Sequence, residues 1–153
     1  PFAYAHFFGI AVEEGPAVVE NYRHNYQPSE AFPEPKVNVG VHVVCSETEE
    51  EALRLSACRN LSRLLNITGR AAGIPSPEAA ASYVYQADEA AYVKQYANVC
   101  VDGDPEQVKE RLEELAERYQ TPDLSVVTIT HHLADRVHSY ELVADVCGLT
   151  PLE

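Results

Sequence analysis

Residues 37–66 decide the fold: VNVGVHVVC (37–45) is followed at once by SETEEEALRLSACRNLSRLLN (46–66). In the first part valines alternate with Asn38, Gly40 and His42, which is the period of a β-strand with one apolar and one small, polar face. In the second part Thr48 and Glu51 form a capping box with an acidic first turn, so we expect a helix to about residue 66. A strand that leads directly into a helix predicts a parallel β/α unit.

The rest of the chain repeats this alternation. We predict strands at 2–5, 99–101 and 124–130, the last buried on both faces because it is a continuous β-branched run. Helices are expected at about 12–26, from Pro105 to Tyr119 behind an Asp104 N-cap, and from about residue 133 to Cys147. Residues 70–97 are interpreted as an insertion of two short helices. The order predicts one α/β domain over 1–153 with parallel strands.

Composition excludes several classes of function. The 153 residues carry 24 Asp+Glu against 11 Lys+Arg, a net charge of −13 that disfavours nucleic acid and anionic membrane surfaces as partners. No apolar run reaches the roughly 20 residues of a membrane span, and no secretory signal is visible. The cysteines at 45, 58, 100 and 147 lack metal-ligand spacing, so we expect buried thiols, no metal site and a cytoplasmic protein.

Five segments, in order, resemble the luciferase-like flavin-dependent monooxygenases. They are PFAYAH (1–6), NYR with QPS (21–29), PKVNVGVHVV (35–44) with TEEEA (48–52), DGDPEQVKERL (102–112), and DRVHSYELVA (135–144). Two positions depart from the family pattern: Phe7 stands where a second histidine is common, and Asp102 and Asp104 flank Gly103. The similarity extends over nearly the whole chain.

The resemblance implies a (β/α)8 TIM-type barrel of which this chain would be the C-terminal half. In that family reduced FMN, or the deazaflavin F420 in some relatives, reacts with oxygen and oxidises a small organic substrate such as an aldehyde. A Gly- and Ser-rich turn that helps to hold the flavin phosphate would lie upstream of Pro1. The chain has no Met and opens inside a predicted strand, so we expect a piece of a longer product; removal of an initiator Met is the alternative.

Barrel enzymes place their sites at the carboxyl ends of the strands, which selects four residues here. His6 follows the first strand and is the candidate catalytic residue; the alternative is a loop histidine packed under Phe7 and Phe8. His42 is a candidate for lining the cofactor or substrate, or else a hydrogen-bonded core histidine. Thr130 and His131 follow the last strand and either line the barrel mouth or cap a helix.

Three interpretations of the chain's role remain open. The chain is either an enzyme part that is inactive alone, or a non-catalytic half-barrel that forms a homodimer or pairs with a separate N-terminal chain, because bare edges of parallel sheets favour association. An unrelated small α/β binding domain is the third possibility.

The tyrosines of 76–97 are expected either to form a lid or subunit contact or to pack locally.

Overall fold

The computed structural model describes residues 1–6 and 14–150, in which strands and helices alternate. In chain order they are β1 Phe2–Ala5, α1 Gly15–His24, β2 Val37–Cys45, α2 Glu49–Ile67, α3 Pro77–Ser82, α4 Ala87–Ala97, β3 Val101–Gly103, α5 Pro105–Tyr119, β4 Leu124–Val127 and α6 Leu133–Val146. Every strand pair is parallel. The predicted α/β class, with parallel strands alternating with helices, is confirmed.

Local capping explains where two of the long helices begin. Thr48 Oγ1 accepts a hydrogen bond from Glu51 N (3.3 Å) at the start of α2, as predicted, but the Glu51 carboxylate binds Arg54 instead of closing the box. At α5 the reciprocal box is complete: Asp104 accepts from Gln107 N and Gln107 accepts from Asp104 N, both at 3.0 Å. These bonds satisfy backbone donors that a helix N-terminus leaves open.

β2 is the central strand and pairs with all three others. The direction of backbone hydrogen bonds shows which side each occupies, because successive N–H groups of a strand point to opposite sides. Phe2 N donates to Lys36 O and Ser46 N donates to Gly103 O, whereas Val39 N donates to Asp123 O. β1 and β3 therefore share one side of β2, and β4 takes the other.

This strand order has a consequence for the predicted barrel. In a closed barrel each strand pairs with the next one along the chain, so β3 would pair with β4. Among the described residues β4 instead pairs with β2, in the register Val39↔Leu124 to His42↔Val127. The described strands form a parallel sheet, and their pairing does not by itself define half a barrel.

The two faces of the sheet differ sharply. On one face Val39, Val41 and Val43 are completely buried against α1, α5 and α6. On the opposite face, which we call the open face, small or polar residues of β1, β2 and β4 are half-buried or exposed. They are Ala3, Ala5, Asn38, Gly40 and Ser125. In the part of the chain that the structure describes, α2 covers the carboxyl end of the open face, where Val44 packs on Ala52 and Leu55.

Both predicted boundaries of the third strand are wrong. The helix expected over about 12–26 is present as α1 from Gly15 to His24; residues 12 and 13, like Phe7 and Phe8, lie outside the described part. Residues 99 and 100 are not strand, because their N–H groups donate to Tyr96 O and Ala97 O and close the end of α4. β3 therefore spans Val101–Gly103, where a turn was expected.

β4 is also shorter and less buried than predicted. The strand ends at Val127 rather than at 130, because Thr128 N donates to Tyr140 Oη (3.1 Å) instead of continuing the ladder. Three of its residues are half-buried and Ser125 is exposed; among the described helices, α5 and α6 pack on the face of Leu124 and Val126. The prediction of a buried Cys147 is wrong as well: this thiol is exposed at the end of α6, while Cys45, Cys58 and Cys100 are buried.

Residues 70–97 contain α3 and α4, which pack against α2. Tyr83, Tyr85 and Tyr92 contact the buried Cys58–Leu64 side of α2, which is local packing. In residues 1–6 and 14–150, none of the helices combines the length and the apolar character that a membrane span requires.

Candidate functional site

A cavity of about 250 Å³ lies at the carboxyl ends of β2 and β4, beneath α2 and α4. We call it the α2 cavity. Its walls are formed by His42 of β2, Arg59, Ser62, Arg63 and Asn66 of α2, and Tyr96 of α4. Ile74 and Ile129 complete the lining with apolar surface. This is the end of a parallel sheet at which binding sites are usually built.

His42 and Tyr96 form a buried hydrogen-bonded pair at the base of the α2 cavity. His42 Nδ1 lies 2.9 Å from Tyr96 Oη, and the rings meet edge to face with centroids 6.2 Å apart. Burial, followed by the charges of Arg59 and Arg63, lowers the pKa of His42 to about 4. Burial also raises the pKa of Tyr96 to about 12. Both groups are therefore neutral near pH 7 and act as hydrogen-bonding groups rather than charges.

Arg59 is held rigidly beside this pair. Its guanidinium makes two hydrogen bonds to the Asp102 carboxylate of β3, at 2.9 and 2.7 Å, and two more to Asn60 Oδ1. The side chains of Arg59 and Asp102 are only 2 % and 6 % exposed, so the ion pair is almost completely desolvated. The bidentate geometry fixes the guanidinium plane, and the Cζ atom of Arg59 lies 5.8 Å from the centre of the Tyr96 ring.

Arg63 provides a second guanidinium in the same cavity. Its Nε donates to Tyr92 Oη (3.2 Å), and its Cζ lies 5.7 Å from the centre of the Tyr96 ring. The α2 residues of the cavity occupy positions 59, 62, 63 and 66, the spacing of one helix face. Sequence reasoning missed this polar stripe, although its spacing beside the apolar stripe was a readable signal.

His6, the candidate catalytic residue, lies elsewhere. It follows β1 and is buried; its Nδ1 is 2.8 Å from Tyr119 Oη of α5. Burial, with smaller effects of Arg118 and Arg111, lowers the pKa of His6 to about 4. His6 lines a separate cleft of about 140 Å³ rather than the α2 cavity. The structure therefore does not bring His6 and His42 into one cavity.

The two candidates after β4 are positioned mainly by local bonds. Thr130 is buried, and its hydroxyl donates to His132 O (2.8 Å). His131 is exposed, with Nδ1 2.8 Å from Ile74 O and its ring against His132. Neither side chain is among those that line the α2 cavity, whereas their neighbour Ile129 is. Within 1–6 and 14–150, no three metal-ligating side chains lie together.

The fold and this site define a parallel α/β protein with a polar cavity at the carboxyl ends of its strands. No family model matches the chain. It is similar to two proteins of Bacillus subtilis (strain 168), both uncharacterized: YwcH, 37 % identical over 145 residues, and YvbT, 32 % identical over 146 residues. The matches cover 94 % and 95 % of this chain but 43 % of each relative, so the chain spans less than half of their length.

Solved structures extend the likeness in fold. The crystal structure of apo-MsnO8 matches 99 % of this chain and 46 % of its own, with a TM-score of 0.81 and 27 % identity. The monooxygenase RslO1 from Streptomyces bottropensis matches 94 % of this chain and 39 % of its own, with a TM-score of 0.55. At 13 % identity, the likeness to RslO1 shows a shared fold alone.

Proposed function

We propose that the chain is the C-terminal portion of a luciferase-like flavin-dependent monooxygenase, in which reduced FMN and O2 oxidise a small organic substrate such as an aldehyde. The resemblance of its five segments supports this proposal, as does the likeness in fold to a monooxygenase structure. On this proposal the protein works in the cytoplasm, and the 153 residues alone have little or no activity.

The observation that carries the proposal is the inequality of the two sheet faces. Parallel sheets are normally covered on both faces, yet Ala3 and Ser125 on the open face are exposed, while the valines of the other face are completely buried. A face of small residues is suited to close approach by another layer. In the proposal, that layer belongs to the N-terminal half of the barrel, together with the flavin bound between the two halves.

The residues of the open face fit one wall of a flavin site. Ala3, Ala5 and Gly40 lie beside one another in the strand register and present little side-chain volume, so a planar ring system can approach the backbone closely. The α2 cavity, at about 250 Å³, takes only part of a molecule of FMN's size. Bound reduced flavin would supply the electrons for the reaction with O2.

This chain's residues would supply position and shelter from water. His42 and Tyr96, both neutral near pH 7, offer hydrogen bonds at the carboxyl end of β2 without placing a charge beside the reacting groups. The guanidinium groups of Arg59 and Arg63 both lie over the ring of Tyr96, with Cζ 5.8 and 5.7 Å from its centre. His6 remains the candidate on the β1 side; Thr130 and His131 remain candidates at the end of β4.

The second candidate function is a non-catalytic half-barrel that forms a homodimer or pairs with a separate N-terminal chain. The open face also fits this candidate, because a second copy could cover it as an N-terminal half would; the resemblance of the five segments favours the first candidate. The two candidates differ in whether a covered open face binds flavin.

Gel filtration in the presence of FMN, with flavin absorbance and elution volume recorded, tests the proposal. We expect no stoichiometric flavin on the chain alone. Co-purification with the part of YwcH that the chain does not span should give a complex that holds flavin and, with reduced FMN, oxidises decanal. Replacing Gly40 with Trp should block flavin in that complex.

Three outcomes would contradict the proposal. Tight flavin on the chain alone would mean that the site is already complete. A homodimer that binds no flavin, even with the complementary segment present, would favour the non-catalytic half-barrel. A monomer that neither binds flavin nor pairs would favour an unrelated binding domain. Repeating the binding measurement on the same complex with F420 in place of FMN shows which of the two cofactors it holds.

A further inference from the structure

The charge of the α2 cavity contrasts with that of the whole molecule. The chain has a net charge of −13, yet among the described residues that line the cavity there are two arginines and no Asp or Glu. All of the lining side chains belong to this chain. A cationic cavity in an acidic protein attracts small anions and leaves cations to the outer surface.

The charge in the cavity is limited by Asp102. This carboxylate makes two hydrogen bonds to Arg59 and matches its charge, and it is nearly as buried as the arginine. Because the charges of Arg59 and Asp102 cancel, this pair adds little net attraction for an anion. Arg63, on the same helix face one turn further on, brings a planar fork of donors that suits a carboxylate.

The remaining wall is apolar and aromatic. The centre of the Tyr96 ring lies 5.8 and 5.7 Å from the Cζ atoms of Arg59 and Arg63, and Ile74 and Ile129 line the same cavity. His42 holds the Tyr96 hydroxyl, so the ring has a fixed orientation. A cavity of about 250 Å³ is the right order of size for one small ring with a single polar substituent.

We propose that the α2 cavity binds the carboxylate of a small aromatic or alicyclic acid, with Arg63 on the carboxylate and the ring of the acid against Tyr96 and Ile129. We assign this acid as the substrate of the monooxygenase, and that assignment rests on the proposed function. The binding itself needs only the residues of this chain.

Calorimetric titration of the chain with benzoate and with benzamide, without flavin, tests the binding. We expect benzoate to bind at least about tenfold more tightly than its uncharged analogue, the difference expected of one charge-assisted contact. Arg63→Gln should remove that difference and Arg63→Lys should restore part of it. Arg54→Gln is the matched control, since Arg54 lies on the same helix but pairs with Glu51 at the surface.

Benzoate that binds no better than benzamide, or that responds equally to Arg54→Gln and Arg63→Gln, would overturn the inference. NMR of the unmodified chain guards against a misfolded variant: benzoate should shift the Arg63 Nε–Hε signal and leave that of Arg70 in place. No shift at Arg63 would also overturn it.

The last measurement compares binding of FMN with binding of riboflavin, which lacks the phosphate. If Arg63→Gln weakened binding of FMN but not of riboflavin, and left benzoate unaffected, the cavity would hold a flavin phosphate and the inference would be wrong. Because benzoate binding is measured without flavin, failure of the proposed monooxygenase function would leave this result intact.

Discussion

The molecule contains two buried histidine–tyrosine pairs that are almost the same in geometry and differ in what surrounds them. His6 and Tyr119 are 2.8 Å apart, His42 and Tyr96 are 2.9 Å apart, and both pairs of rings meet edge to face. Burial lowers the pKa of each histidine to about 4. The pair geometry therefore cannot say which histidine serves a ligand.

The surroundings make the distinction. Tyr119 lies between β1 and α1, where a Cβ on Gly15 would overlap its hydroxyl, so this pair is packed against backbone. Tyr96 lies beside two guanidinium groups and an open cavity. We infer that Tyr119 holds β1 and α1 together, with His6 beside it in a cleft of its own, and that Tyr96 shapes the α2 cavity.

Removal of the Asp102 carboxylate should have the largest effect and should act only on the His42 side. Asp102→Ala leaves Arg59 charged and buried without its partner, which we expect to cost about 3–5 kcal/mol of unfolding free energy. Urea denaturation measures the loss. Glu51→Ala removes the partner of the exposed Arg54 and should cost less than about 1 kcal/mol. Equal losses would show that burial of the Arg59 pair has no energetic consequence.

Gly15→Ala should come next and should act only on the His6 side. The added methyl overlaps the Tyr119 hydroxyl and approaches the Tyr4 ring. The shifts that accommodate such overpacking typically lower the free energy of unfolding by about 1–3 kcal/mol. Thermal unfolding measures the change. The double variant with Tyr119→Phe should be less destabilised than the sum of the single variants, because the overlapping atom is gone. Strict additivity would argue against the contact.

Removal of one hydroxyl from each pair compares the two directly. Tyr96→Phe and Tyr119→Phe each leave the ring in place but remove the hydrogen bond to the histidine, at a cost of about 1–3 kcal/mol. Only Tyr96→Phe should also weaken benzoate binding, because only Tyr96 lines the α2 cavity. An equal loss of benzoate binding in both variants would contradict the inference that Tyr96, and not Tyr119, shapes the α2 cavity.

The pH dependence of stability should be the smallest effect and should be shared by both pairs. A histidine with a folded-state pKa of about 4 is neutral when folded and binds a proton on unfolding below pH 6.5, so stability falls as the pH falls from 6.5 towards 4. At pH 5 each imidazole should account for about 1–2 kcal/mol. His6→Gln and His42→Gln should each flatten the profile measured by urea denaturation.

His138 provides an internal contrast for this profile. Its hydrogen bond to Glu47 raises its pKa, so its contribution is present below pH 6.5 and is lost as the pH rises through the raised value. His138→Gln should therefore change the profile in the opposite direction to the buried histidines. A change of the same sign would contradict the raised pKa of His138 and the hydrogen bond to Glu47 that causes it.

Much of the fold was readable because its signals are local. The alternation in 37–45, the caps at Thr48 and Asp104, and the class of the fold were predicted and are confirmed. One error is local, since residues 99 and 100 close the end of α4, and another arises where a distant group intervenes. β4 ends early because Tyr140 of α6 takes the Thr128 amide, and sequence periodicity holds no information about that bond.

The candidate site shows the same division. His42 was selected from its position on the polar face of a strand, and it does line a cavity. Arg59 and Arg63 were not selected, because arginines in a helix are ordinarily interpreted as solvated surface. Tyr96 was considered only among the tyrosines of 76–97, as part of a lid or subunit contact or as local packing. Arg59 is buried only because Asp102, 43 residues away, meets it with two hydrogen bonds.

The amino-acid sequence by itself determined the alternation of strands and helices, because hydrophobic period and helix caps act over a few residues. The tertiary structure alone decided that β1 and β3 share one side of β2, and that one sheet face is left open. It also decided which histidine meets which tyrosine, 113 residues apart in one pair and 54 in the other. Such partners are chosen by packing and by the need to satisfy buried polar groups, which depend on the whole chain at once.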